Sequence, residues 1–156
     1  MPDCFISYAN EDLDMAQIVK TVLEARDVSV FIASVSLKPG DDWGKEIKHD
    51  LLNSMCVIFL ASKKACESPF VQQELGMALG ASKKVIPIVW DISPSDLPGW
   101  VDRYQAIDIR GGSMPDLIEK VDELAKSITL DKLGAILLMA MGALAAFIIW
   151  KPERSA

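Results

Sequence analysis

The chain has 156 residues, which is enough for one domain of ordinary size and a short additional segment. Its net charge of −6 argues against a nucleic-acid partner, because phosphate binding needs clustered lysine and arginine. It has one histidine, His49, and three cysteines without a C-x-x-C spacing, so neither a histidine-based metal site nor a disulfide framework is predicted.

Short apolar runs alternate with helical patterns along the first 129 residues. Strands are predicted over residues 4–8, 28–32, 55–61, 84–90 and 104–109. Helices are predicted over about 12–26, with Asn10 as N-cap, and over about 43–54, 68–82 and 114–129. Strands that alternate with helices form parallel sheets covered on both faces. The short chain favours a flavodoxin-like α/β fold, a five-stranded sheet with strand order 2-1-3-4-5.

This strand order places a switch point between strands 1 and 3. Ligands of such folds bind at the carboxyl ends of the strands that flank the switch point. Those ends continue into residues 7–12 and 61–69. The second segment leads directly into "SPFVQQEL", in which Ser68 is a suitable N-cap and Pro69 suits the first helical position. The helix over 68–82 is therefore predicted to begin beside a ligand site.

Glu74, in that helix, lacks the basic neighbour that an exposed helical glutamate usually has. The residues three and four positions away from it are Phe70, Val71, Met77 and Ala78. The sequence contains neither glycine-rich phosphate-binding motif and no nucleophile elbow. Spacing alone leaves two interpretations open: Glu74 is an exposed or core-edge glutamate, or its carboxylate serves a ligand.

Five short motifs occur in the order and spacing of a Toll/interleukin receptor (TIR) domain. They are "FISYANED", "SLKPGDDW", "FLAS", "SPFVQQEL" and "KVIPIVW". Over residues 3–128 the chain resembles this family, in particular its prokaryotic NAD-cleaving members. The resemblance implies that Glu74 is catalytic and that Phe70, where the family often has Trp, is its aromatic companion.

The resemblance also implies the remaining parts of a substrate pocket. Tyr8, Ala9 and Asn10 would form one wall, and the family's BB loop, over about 33–43, would contribute Lys38 and Trp43. Three of these residues have a second interpretation: Trp43 as a packing residue at a helix start, Tyr8 as a strand-end core residue, and Asn10 as an N-cap.

The function implied by the resemblance is cleavage of NAD+. NAD+ is then a substrate, and neither a metal nor a resident cofactor is expected. The expected partners are further copies of the chain, through TIR–TIR contacts, and the expected setting is antiphage immunity by NAD depletion or nucleotide signalling. A non-catalytic adaptor that acts through TIR–TIR contacts is the alternative.

The chain carries no charge from Leu133 to Trp150, between Lys132 and Lys151. As a helix these residues span about 27 Å, near the lower limit for crossing a bilayer. A buried or self-associating helix is the alternative, although a fully apolar circumference disfavours it. The start of the chain has no signal-peptide pattern. We therefore predict a TIR domain over 1–130 and a segment over 131–156 that anchors it, facing the cytoplasm, by a single span in the inner membrane.

Overall fold

A computed structural model describes residues 1–32 and 43–149. The strands are β1 (Cys4–Ser7), β2 (Val30–Ile32), β3 (Cys56–Leu60), β4 (Lys84–Val89) and β5 (Ile107–Asp108). The helices are α1 (Leu13–Glu24), α2 (Trp43–Asn53), α3 (Lys63–Glu67), α4 (Pro69–Gly80) and α5 (Met114–Ile149). The strands form one parallel sheet in the order β2-β1-β3-β4-β5, so the predicted fold class and strand order are confirmed.

The central strands are buried on both faces, which is why they read as continuous apolar runs. Successive side chains of β1 point to opposite faces: Ile6 packs with α1 and α5, whereas Phe5 packs with α2 and α4. The predicted apolar stripe of the last domain helix is buried as expected, at Leu117, Val121, Ala125 and Ile128. The sheet is therefore covered by two helices on each face, with α3 at the carboxyl end of β3.

Two local predictions are wrong. Asn10 does not cap α1, because it is the first residue of a 3₁₀ turn over Asn10–Asp12 and α1 begins only after Asp12. The strand predicted over 104–109 is reduced to Ile107–Asp108. The sequence pattern also does not predict α3, whose five residues follow an N-cap at Ser62.

The first residues of β1 and β3 are both cysteines. Cys4 and Cys56 are register partners on neighbouring strands, and their Sγ atoms lie 3.1 Å apart. Both thiols are free and buried, whereas the third cysteine, Cys66 on α3, is half-buried. The two strands thus carry a pair of reduced thiols inside the core.

Helix α5 continues without a break from the domain into the apolar segment. The domain helix predicted over 114–129 and the span predicted from residue 133 are one helix, because the residues between them include neither glycine nor proline. From Leu133 to Ala146 its apolar side chains are exposed, Leu138 to 72%. This helix is long and apolar enough to cross a membrane.

Candidate active site

The candidate site lies where β1 and β3 end, at the switch point of the sheet. We call this end of the sheet the carboxyl edge; here it comprises Ser7 on β1, residues 8–12 after β1 and residues 61–69 after β3. Helix α4 begins at this edge as predicted, because the Ser68 hydroxyl accepts a hydrogen bond from the Val71 N–H and Pro69 occupies the first turn. Glu74 lies one turn further along α4.

The carboxylate of Glu74 is held by the last residue of β1. The Ser7 hydroxyl, which is fully buried, donates to Glu74 Oε2 at 2.5 Å. This contact joins α4 to the strand at the switch point, although the two residues are 67 positions apart in the chain. Glu74 is therefore not a simple exposed glutamate, whereas its half-buried position agrees with the interpretation as a core-edge residue and leaves a ligand-binding role as a prediction.

Burial raises the pKa of Glu74 to about 7, from an ordinary value of 4.5. The hydrogen bond from Ser7 opposes this rise, and among the residues that the structure describes it is the only contact that does so. Glu74 is consequently poised between its protonated and ionised forms at neutral pH. Strongly shifted carboxyl groups in a cleft are typical of functional sites.

The other predicted site residues differ in how deeply their side chains are buried. Tyr8 is half-buried beside Glu74, and burial together with the Glu74 charge raises the pKa of its phenol. Phe70, on the first turn of α4, is 60% exposed. Ala9 is buried in the core below the site, and Asn10 is exposed at the start of the 3₁₀ turn. Lys38 and the side chain of Trp43 lie outside the described residues.

Sequence reasoning missed two residues of this edge. Ser7 and Ser62 are buried hydroxyls that end β1 and follow β3, and a polar residue closing a buried strand at a switch point is the signal that could have indicated them. Ser62 donates to Asp12 Oδ2 and also accepts from the Ala65 N–H, so it fixes the start of α3. Burial raises the pKa of Asp12, although the bond from Ser62 lowers it.

A depression lies beside the site, between α3 and the loop that follows β4. It has a volume of about 590 Å³, and its walls include Cys66, Asp91 and Arg110 but not Glu74. Within the described residues, no group of three or more His, Cys, Asp or Glu side chains is arranged to hold a metal ion. The chemistry available near Glu74 is thus that of a partly buried carboxylate, two hydroxyls and an exposed aromatic ring.

Comparison with known proteins adds the decisive observation, because the sequence model of the family described as "TIR domain" matches residues 4–125. The chain belongs to the TIR domain family. The match runs from the start of β1 to Ala125 in α5, so it covers the whole sheet, helices α1 to α4 and the first part of α5.

One curated relative is named as a probable 2′ cyclic ADP-D-ribose synthase, from Brachypodium distachyon. It is 28% identical to this chain over 97 residues, which are 61% of this chain and 43% of the relative. The chain therefore spans less than half the length of this relative.

Solved TIR structures share the fold. The TIR domain of a Toll-related receptor from Hydra magnipapillata has a TM-score of 0.60 and 20% identity, over 78% of this chain and 98% of that one. A TIR-STING receptor from C. gigas has a TM-score of 0.66 and 20% identity, over 82% of this chain and 39% of that one. At this identity, these likenesses show the fold alone.

Proposed function

We propose that this chain is a membrane-anchored TIR enzyme that cleaves NAD+ into nicotinamide and ADP-ribose, or a cyclic or otherwise derived ADP-ribose product. The observation that carries the proposal is the carboxyl group of Glu74, partly buried at the switch point and held by Ser7 at 2.5 Å. The name of the Brachypodium relative supports the same class of substrate, since a cyclic ADP-ribose is made from a dinucleotide of this kind.

A single carboxylate suffices for this reaction. The bond that breaks joins C1′ of the ribose to the positively charged nicotinamide ring, and its electron pair neutralises the departing ring. No general acid is needed, whereas an ordinary glycosidase must protonate its leaving oxygen. The positive charge that develops on the ribose is stabilised by the Glu74 carboxylate, more strongly in a partly desolvated site than in water. The oxygen of water, or of a hydroxyl of the same molecule, then forms a bond to C1′ and releases its proton to Glu74 or to solvent.

The neighbouring side chains position this carboxylate and the substrate. Ser7 fixes the orientation of Glu74, because its own side chain is fully buried at the end of β1. The exposed ring of Phe70 provides a surface on which the nicotinamide or adenine ring can stack, one helical turn from Glu74. The half-buried Tyr8 lies close enough to Glu74 to be affected by its charge.

The anchor and the biological setting belong to the same proposal. The exposed half of α5 spans the inner membrane once and holds the TIR domain in the cytoplasm. Confinement to a plane raises the effective concentration of the domains and so favours TIR–TIR assembly. Antiphage immunity, by NAD depletion or nucleotide signalling, is the proposed role.

The enzymatic proposal is tested with the full chain reconstituted in vesicles at low and high surface density. The measurement is nicotinamide released from NAD+, with identification of the second product. Glu74→Gln is expected to lower the rate by about 10²–10⁴-fold. The matched control is Glu123→Gln, which changes an exposed glutamate on α5, away from the carboxyl edge, and should leave the rate unchanged. Equal rates for wild type and Glu74→Gln at both densities would leave the non-catalytic adaptor as the better account.

The anchor has a separate test. After alkaline carbonate extraction of cell membranes, the full chain should stay in the pellet, whereas a 1–130 truncation should appear in the supernatant. Recovery of the full chain in the supernatant would contradict the anchor without bearing on catalysis.

A further inference from the structure

Helix α5 leaves the domain at the end of the sheet opposite to Glu74. We call that end the amino edge and define it by Asp3, Ser29, Met55 and Lys84, which lie where β1 to β4 begin. Parallel strands place all their starts at one edge and all their ends at the other. Because α5 follows β5 and packs back along the sheet, its last buried residue, Ile128, is near the amino edge.

Two ion pairs hold α5 at this exit. Lys132 Nζ lies 2.9 Å from Asp3 Oδ2, and Asp131 lies 3.4 Å from Lys84 Nζ. Asp3 is itself fixed, because the same carboxylate accepts hydrogen bonds from the Ser29 N–H at 2.8 Å and the Ser29 hydroxyl at 2.9 Å. A carboxylate that is only 7% exposed does not release its cation readily.

The apolar segment begins immediately after the two residues of α5 that form these ion pairs, Asp131 and Lys132. Leu133, the next residue, is already 57% exposed, and α5 continues as helix through it. A flexible tether would let the domain turn any face to the bilayer. Here no residue separates the ion-paired Lys132 from Leu133, where the segment that enters the membrane begins. The position of the domain relative to the bilayer is therefore set by the helix itself.

We infer that the amino edge lies directly against the lipid headgroups, so that the Glu74 site faces away from the bilayer. This inference rests on the proposed membrane anchor. Exposed apolar side chains at the same edge, Met55 at 40% and Leu130 at 69%, fit an interfacial position. The site stands about 13 Å further out, the length of β1 from Asp3 to Ser7.

A fixed orientation has a consequence for assembly. Copies in one membrane stand with their carboxyl edges at the same height and with only the sides of their domains facing one another. In this orientation, TIR–TIR contacts between copies in one membrane lie on the sides of the domain, and the site faces the cytoplasm, from which the substrate comes.

The test places a fluorescent label at each edge of the full chain in vesicles that contain spin-labelled headgroups. Cys66→Ser provides the background, because Cys4 and Cys56 are buried in the core. Met55→Cys places the label at the amino edge, and Ser95→Cys places it in the exposed loop after β4 at the carboxyl edge. We expect several-fold stronger quenching at position 55 than at position 95. Equal quenching, or stronger quenching at position 95, would overturn the inference.

A linker insertion supplies the matched comparison. Six glycine and serine residues inserted after Lys132 should reduce the difference between the two labels, whereas Lys126→Ala, which removes another α5 lysine paired with Asp122, should preserve it. An unchanged difference after the insertion would contradict orientation by the helix.

Flotation of the same vesicles separates the ways in which the proposals can fail. A chain that does not float, or that associates only with other copies in solution, refutes the anchor and this inference with it. A chain that floats and shows the expected quenching but releases no nicotinamide refutes the enzymatic proposal and supports the orientation.

Discussion

The amino edge and the carboxyl edge of the sheet each hold a partly or fully buried carboxyl group, Asp3 and Glu74. The pKa values of these two groups are shifted in opposite directions. Burial acts to raise the pKa of both. At the amino edge, hydrogen bonds from Lys132 and Ser29 outweigh burial, so the pKa of Asp3 lies below its ordinary value. At the carboxyl edge, Ser7 supplies one hydroxyl, and the pKa of Glu74 rises to about 7.

The comparison shows that partners, more than burial, decide the direction in which the pKa of each carboxyl group moves. Asp3 is satisfied by a cation and a backbone N–H, and it fixes α5 to the sheet. Glu74 is kept in place with its charge largely uncompensated by the described residues, which suits the role proposed for it, the stabilisation of a substrate's positive charge.

The largest expected effect on stability comes from replacing the Glu74 carboxyl group, at the carboxyl edge, by an amide that cannot ionise. The folded pKa of Glu74 is raised, so its contribution to stability is complete below pH 4.5 and is lost as the pH rises through about 7. Glu74→Gln should therefore stabilise the domain by about 3 kcal/mol at pH 8, and by almost nothing near pH 4. Urea denaturation of the full chain in detergent micelles measures this difference; a variant less stable than wild type at pH 8 would contradict it.

At the amino edge the same kind of substitution should have the opposite sign. The folded pKa of Asp3 is depressed, so its contribution is present at neutral pH and is lost as the pH falls through that depressed value. Asp3→Asn should lower the free energy of unfolding by about 2 kcal/mol at pH 7, because Lys132 loses its charged partner. Asp14→Asn, at an exposed position on α1, is the control and should change it by less than about 0.5 kcal/mol. An equal effect of both substitutions would mean that Asp3 does not hold α5.

The titration of Glu74 should also appear in the kinetics. If the ionised form stabilises the transition state, kcat/KM should rise about tenfold per pH unit below pH 7 and become constant above pH 8. The cationic substrate favours the ionised carboxylate, so kcat should show a lower apparent pKa than kcat/KM. A rate independent of pH between 5 and 8 would exclude Glu74 as the titrating group.

The smallest effect is expected from removal of the hydrogen bond that Ser7 donates to Glu74. Ser7→Ala removes a contact that lowers the pKa of Glu74, so the rise in kcat/KM should move to higher pH. The rate above pH 8 should fall only several-fold, because the carboxylate remains. A shift to lower pH would show that Ser7 does not donate to Glu74.

Much of the fold could be predicted because its strands are buried on both faces. Runs such as "CFISY" and "MCVIFLA" have one structural interpretation when helical patterns lie between them, and the strand order followed from chain length and alternation. The start of α4 was predictable because Ser68 and Pro69 act locally. Helix α3 was not, because five residues with two lysines and a glutamate carry no apolar period.

The candidate site could be predicted only in part from the sequence. The contact that defines it, from Ser7 to Glu74, joins residues that are far apart along the chain. Helical spacing showed that Glu74 lacks a basic neighbour, and topology placed its helix at the switch point. The hydrogen bond from Ser7 depends on the packing of α4 against β1, which no pattern within either segment encodes. The assignment of Asn10 as a cap failed for a related reason, since a 3₁₀ turn precedes α1 and moves its start to Leu13.

The rate at which the buried thiols of Cys4 and Cys56 react can be used to measure the stability of the folded protein. In native buffer an alkylating reagent should modify the half-buried Cys66 first, and should reach the pair only when β1 and β3 separate. When closing is fast, the slow rate divided by the rate for an unprotected thiol is the equilibrium constant of that opening. The logarithm of this constant gives the free energy of opening. Such a measurement needs neither heat nor denaturant, so it can be made on the full chain reconstituted in vesicles.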